Sequence, residues 1–234
     1  MSIIDDFLSK YTEVESFLRS RNQTDNNTKF DILDDKAIKK NAEIWKFYKS
    51  LRNLLTHQSD ARSGKFIVLT DELYHAFDVE AKRIMRPQKA IDIAVPSNKI
   101  YKITKNENVN TVIQTMLDEN YTCAPIVNGK GIIEGVFSAH SLMLYFNEER
   151  PDVSDDTKNL KISDLGEFCD LYNDPDMEYR FVPKTITVDE VREMFKDNFD
   201  NERRLEVVFI TENGKPTEKI LALLTHWDFN KRAD

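Results

Sequence analysis

The chain has 234 residues, 40% of them hydrophobic and 32% charged, with 33 Lys plus Arg against 41 Asp plus Glu and a net charge of −8. Fourteen Phe, eight Tyr and two Trp can fill a core, which excludes wholesale disorder, while six Gly and seven Pro exclude a collagen-like or linker-dominated chain. An acidic total argues against a general nucleic-acid coat protein, which needs a basic surface. In chain order, residues 3–19 are predicted helical, with Ile4, Phe7, Leu8, Tyr11, Val14, Phe17 and Leu18 at helical spacing. A polar stretch from Arg21 to Lys29 breaks that helix. A second helix is expected from about Asp34 past Leu51, with Ile38, Ala42, Trp45, Tyr48, Leu51 and Leu55 along one side. A third starts at Thr70, whose hydroxyl caps free N–H groups, with Asp71 and Glu72 favoured in its first turn. Its stripe is Leu73, Phe77, Ala81 and Ile84, and Pro87 ends it.

After Pro87 the pattern changes to short β-rich runs separated by helices. Ile100 to Thr104 reads as a strand, and Val109, Val112, Ile113, Met116 and Leu117 form a helical stripe. Ala124 to Val127 and Ile132 to Phe137 read as a hairpin around Asn128-Gly129, and Ser138 to Phe146 closes the unit as a helix. The same order recurs. Tyr179 to Val182 is a strand, and Thr187 with Glu190 makes a capping box. Val207 to Ile210 and Ile220 to Leu224 flank an Asn213-Gly214 turn, and Thr225 to Arg232 closes. Residues 91–146 and 179–232 therefore read as two copies of one β-α-β-β-α unit, joined by an acidic connector over 147–178. The expected fold class is α+β: a helical bundle over residues 1–88, then a two-repeat module over 89–234.

Cys123 and Cys169 can form one bridge at most, and a chain of this size does not need one. A reducing cytosol is the expected compartment. No apolar run reaches the ~20 residues of a membrane helix. The first residues show no basic region followed by an apolar one, so neither a signal peptide nor a membrane partner is expected.

The repeat resembles a tandem pair of CBS domains, a Bateman module. Three features carry the resemblance: the repeat order, the run Tyr121-Thr122-Cys123-Ala124-Pro125-Ile126-Val127, and Thr225-His226-Trp227-Asp228 after an apolar strand. The last is similar to the family's Thr-x-x-Asp nucleotide signature. The resemblance implies an adenine-type ligand, AMP, ADP or ATP, or a relative such as S-adenosylmethionine or a cyclic dinucleotide. The Asp228 carboxylate would accept hydrogen bonds from the ribose hydroxyls, and the Thr225 hydroxyl would donate to a phosphate. Tyr101, Tyr121, Thr122 and Cys123 would line the base pocket, and Lys231 with Arg232 would meet phosphates. Without a ligand, Thr225 and Asp228 read simply as a helix cap and a first-turn carboxylate. In the first repeat Ser138 keeps the hydroxyl but Ser141 replaces the Asp, so that site is expected to be empty or to hold something else.

Tyr48 to His57 resembles the HEPN motif, an Arg, a polar residue, three others and a His, carried here by Arg52 and His57. In HEPN ribonucleases the Arg steadies phosphate charge and the His moves the proton of the attacking 2′-hydroxyl. A guanidinium and a group titrating near neutrality suit that chemistry. Five residues of α-helix turn about 500°, leaving the two side chains about 140° apart. They converge only if the helix ends between them or two subunits share the site. The alternative is that Arg52 and His57 are structural. The resemblance thus implies a homodimeric sensor protein, with RNA as a further partner if the helical domain cleaves it. A non-catalytic interaction module with empty CBS sites is the other alternative. No metal-ligand spacing links His75, His140 and His226, so no metal is expected.

Local charge refines the total. Residues 1–90 hold 16 basic and 14 acidic side chains, whereas 91–234 hold 17 and 27. Residues 36–52 carry 6 basic and 1 acidic, which keeps RNA open for the helical part. Residues 148–178 carry 3 basic and 11 acidic, which reads as a solvated surface.

Overall fold

The computed structural model describes residues 2–23, 30–57, 67–149, 159–172, 174, 176–197 and 203–229. The chain divides into two compact units, Met1–Pro87 and Gln88–Asp234.

The first unit is helical. Helix α1 (Ile3–Arg21) begins at a capping box in which the Ser2 side chain accepts from the Asp5 N–H and the Asp5 carboxylate reaches back. The second predicted helix is broken into a 3₁₀ turn at Ile32–Asp34, a short α2 (Lys36–Lys39) and α3 (Ala42–His57). The reason is local competition by side chains. Asp31 accepts from the Leu33 N–H at 3.0 Å and Asp35 from the Ala37 N–H at 2.8 Å, each restarting the chain. Asn41, between α2 and α3, instead donates its amide to Glu80 at 3.1 Å. Helix α4 (Asp71–Met85) starts at Thr70, whose hydroxyl accepts from the Leu73 N–H.

Apolar spacing turns one face of each long helix inward. Phe7, Trp45, Tyr48 and Phe77 are fully buried and interlock, with Phe7 and Phe77 ring centroids 4.5 Å apart and Tyr48 edge-on to Phe77 at 4.9 Å. Asp35 is buried too. Burial pushes its carboxyl up, but hydrogen bonds from Arg21, Asn22 and the Ala37 N–H outweigh that and hold it below the usual range.

The second unit mixes helix and sheet. Its elements are β1 (Val95–Pro96), α5 (Val109–Asp118), β2 (Cys123–Val127), β3 (Ile133–Ser138), α6 (Ala139–Glu149), β4 (Met177–Pro183), α7 (Val188–Asp197), β5 (Arg204–Thr211) and β6 (Ala222–Thr225). Strands β2 and β3 pair antiparallel, and a four-stranded sheet has the order β1-β6-β5-β4, with only β4 and β5 parallel. One apolar cluster joins β2 and β3 to α5 through Val112, Met116, Ala124, Ile126 and Phe137. Another joins the larger sheet to α7 through Val182, Val191, Val208, Ile210 and Leu224. A third lies between the two sheets, where Ile133 and Val136 meet Val207, Phe209 and Leu223.

Four expectations need correction. The strand at Ile100 to Thr104 shrinks to one parallel bridge, Ile103 with Ile126. Ile100 packs between the sheets while Ile103 packs toward α5, and Thr104 turns to bond Glu107, so the run cannot stay straight. The β2–β3 turn is wider than Asn128-Gly129. The Asn128 carbonyl accepts from the Gly131 N–H at 2.9 Å, and Gly131, not Gly129, takes the positive φ of 74°. The return strand expected from Ile220 begins at Ala222, because the Ile220 N–H donates to Gly131 rather than to β5. The acidic connector is not only solvated surface. Within it a 3₁₀ run at Ile162–Cys169 sends Ile162, Leu165 and Cys169 into the core beside α5.

Candidate functional site

Chain reversals bring two separate segments together. Asn120 ends α5 with φ at 56°, and the Tyr121 N–H donates back to the Met116 carbonyl at 2.8 Å. This turn delivers Tyr121, Thr122 and Cys123 to the start of β2. The other segment is the end of β6, where Val207 of β5 pairs with Thr225. A 3₁₀ turn at His226–Phe229 follows.

Between them lies a cleft of about 500 Å³ lined by Tyr101, Tyr121, Thr122, Cys123, Thr225 and Asp228. Six of the seven residues singled out for ligand binding therefore face one space; Lys231, like Arg232, lies outside the described residues. The rings of Tyr101 and Tyr121 are stacked, 5.7 Å apart and 13° from parallel. Val95, Ile100, Pro125 and Leu223 add apolar wall. Such a concavity, mostly apolar with a few polar groups, suits a small organic ligand. Burial, with a smaller push from Glu206, drives the Cys123 thiol up to about 12, so it presents a neutral S–H and not a thiolate.

Asp228 is buried, and its Oδ2 accepts from the Thr225 backbone N–H at 2.8 Å and from the Thr225 hydroxyl at 2.9 Å. The Thr225 hydroxyl expected to meet a phosphate thus lies within hydrogen-bond distance of Asp228. The pair is a cap, with the carboxylate held at the cleft wall.

Sequence reasoning missed three polar or aromatic members of the wall, Lys99, Asn120 and Trp227. Trp227 sits inside the quoted tetrapeptide and is 58% exposed, unusual for so large an aromatic side chain. Asn before a strand, at a helix end, is itself a turn signal.

Ser138 and Ser141 reproduce the same spacing and close on each other. Ser141 Oγ accepts from the Ser138 N–H at 2.9 Å and donates to the Ser138 carbonyl at 2.9 Å, while Ser138 Oγ accepts from the Ser141 N–H at 3.2 Å. Both are buried. Nearby, His140 Nε2 stands 3.4 Å from Asp174 and 3.2 Å from Asp176. Among the described residues no group of three or more His, Cys, Asp or Glu is arranged to hold a metal ion.

In the helical unit, Arg52 and His57 lie on the one continuous helix α3 and are not brought together within the chain. The Arg52 guanidinium is 3.3 Å from Glu15 and lies over the Tyr11 ring at 5.5 Å, while His57 is exposed at the last helical position. At least three of the six cations of the basic stretch have an acidic partner. Lys46 meets Glu43 at 2.6 Å and Lys49 meets Asp31 at 2.5 Å. No described helix is long and apolar enough to cross a membrane.

Solved structures that resemble the chain include a hemolysin-like protein containing a CBS domain from Oenococcus oeni, at 16% identity and a TM-score of 0.43, covering 69% of this chain and 97% of that one. CBSX2 in complex with AMP matches at 13% identity and a TM-score of 0.44, over 62% of this chain and 96% of that one. CbpB in complex with c-di-AMP matches at 10% identity and a TM-score of 0.45, over 62% and 83%. No curated protein sequence matches. Residues 90–148, from just before β1 into α6, match the family model of the CBS domain.

Proposed function

We propose that Gln88–Asp234 acts as a tandem CBS module that senses an adenine nucleotide in the Tyr121–Asp228 cleft. One observation carries the proposal: residues about a hundred positions apart, chosen from two signature runs, line the same concave space. The stacked tyrosines and the apolar wall suit a planar base. Asp228, held by Thr225, is the acceptor for ribose hydroxyls. The role is regulatory: binding biases the arrangement of a homodimer whose amino-terminal helical unit responds. That requires the ligand to bind one arrangement better than the other. The engagement of Arg52 with Glu15 and Tyr11 favours a structural role for this residue over phosphate binding.

The test is a thermal-shift panel of AMP, ADP, ATP, adenosine and guanine counterparts on the full chain. At least one adenine compound is expected to raise the melting temperature, and guanine counterparts to raise it less. No shift with any adenine compound defeats the proposal. Size-exclusion chromatography with scattering, with and without the bound compound, then tests the homodimer and its response.

A further inference from the structure

Resting on the nucleotide reading above, we infer that Trp227 is a base-binding residue: its indole covers the flat face of the ligand's base and favours purines over pyrimidines. Trp227 and Tyr121 are both large and exposed, at 58% and 39%, and both line the cleft. A lone exposed aromatic ring is ordinary, but rings from separate segments gathered on one concave wall mark a binding surface. The turn that carries Trp227 is fixed on either side of it. Trp227 lies inside the loop closed by the two Thr225–Asp228 hydrogen bonds. The Phe229 ring, at the end of the same turn, packs edge-on against Phe195 of α7 at 5.7 Å. The backbone is thereby anchored while the indole stays out at the cleft, with His226 tilted beside it at 5.3 Å. A large apolar ring held ready in this way loses little freedom when a ligand covers it.

The ribose places the base. Asp228 is the acceptor assigned above to the ribose hydroxyls, and Trp227 is its immediate neighbour in the chain, on the same cleft. A base joined to that ribose comes within reach of the indole. The parallel rings of Tyr101 and Tyr121 supply aromatic wall from the other segment. Stacking tolerates any flat base, because every base has a π-face, and its strength grows with ring overlap. A fused two-ring purine therefore gains more from the indole than a one-ring pyrimidine. Trp227 thus sets the class of base, while Asp228 sets the sugar.

The experiment titrates the full chain with AMP, CMP, ATP and CTP, read by calorimetry and by tryptophan emission excited beyond the absorption of the bases. The other tryptophan, Trp45, is fully buried in the helical unit, so a change in emission is assigned to Trp227 by its loss in Trp227→Phe. The better-bound adenine compound is expected to bind about tenfold more tightly than its cytosine counterpart and to change the emission. Trp227→Phe keeps a ring and is expected to hold the affinity within about threefold. Trp227→Ala is expected to weaken the adenine compound about tenfold and to shrink the purine advantage, with circular dichroism confirming the fold. An adenine compound that binds by calorimetry without changing the emission overturns the inference and leaves the nucleotide reading intact. So does equal binding of the cytosine counterpart, or unchanged affinity in Trp227→Ala. If none of the four compounds binds, it is the underlying reading that fails.

Discussion

Asp228 and Thr225 are locked together by two hydrogen bonds onto a single carboxylate oxygen, one from the Thr225 backbone N–H and one from its hydroxyl. The pair thus has a structural duty before any ligand arrives. Thr225→Val removes only the hydroxyl donor and is expected to cost about 0.5–1.5 kcal/mol. Asp228→Ala strips the acceptor from both donors and is expected to cost more, about 1–2 kcal/mol. Urea unfolding followed by circular dichroism reads both. A larger loss in Thr225→Val than in Asp228→Ala would contradict the cap.

One ligand per chain is expected. The counterpart pair, Ser138 and Ser141, is buried and satisfies its own hydrogen bonds, and it lacks the carboxylate that would hold a ribose. Calorimetry should give a stoichiometry near one per chain. Two equivalent sites per chain would show that the serine pair opens.

Arg52 is expected to matter for stability. It contacts Glu15 and lies over Tyr11, linking α3 to α1. Arg52→Ala should cost about 1 kcal/mol, the sum of a half-exposed ion pair and a cation–π contact. His57→Ala, at an exposed helix end, should change stability by less than about 0.5 kcal/mol. With Lys46, Lys49 and Arg52 already paired, RNA affinity should be weak and its salt slope shallow. Cleavage of RNA that disappears in both variants would contradict this account of the helical unit.

Acid sensitivity is expected at the turn after β5. Glu218 accepts from the Asn213 amide and the Asn213 N–H, each at 2.7 Å, and these bonds hold its carboxyl down to about 2. A carboxyl lowered on folding stabilises above its unfolded value, about 4.3, and the gain is lost as pH falls through about 2. Glu218→Gln should therefore flatten the stability profile between those values and lower stability at neutral pH, the two proteins converging as pH falls towards about 2. A parallel profile in wild type and variant would contradict the assignment.

The amino-acid pattern carried the helices well and the chain paths between them poorly. Thr70 with Asp71 and Glu72 announces α4 because caps and first-turn acids act locally. Asp35 caps α2 locally, but the bonds that hold its buried carboxylate come from Arg21 and Asn22, fourteen and thirteen residues away, which the local pattern does not show. The pairing of Lys49 and Arg52 within the basic stretch at residues 36–52 was likewise not legible, because their partners Asp31 and Glu15 come from other segments. Ile162 and Leu165 were hidden among acids, since a 3₁₀ run buries short stretches that set no helical period. At the cleft, the two signature runs were visible as residue types, but the placing of Lys99 and Trp227 on its wall is a tertiary fact.

The most direct test of nucleotide sensing compares the AMP-induced thermal shift in wild type and Asp228→Ala, with circular dichroism confirming that the variant is folded. The account predicts a clear shift in wild type that is lost in the variant. An equal shift in both proteins, or none in wild type with any adenine compound, would contradict it.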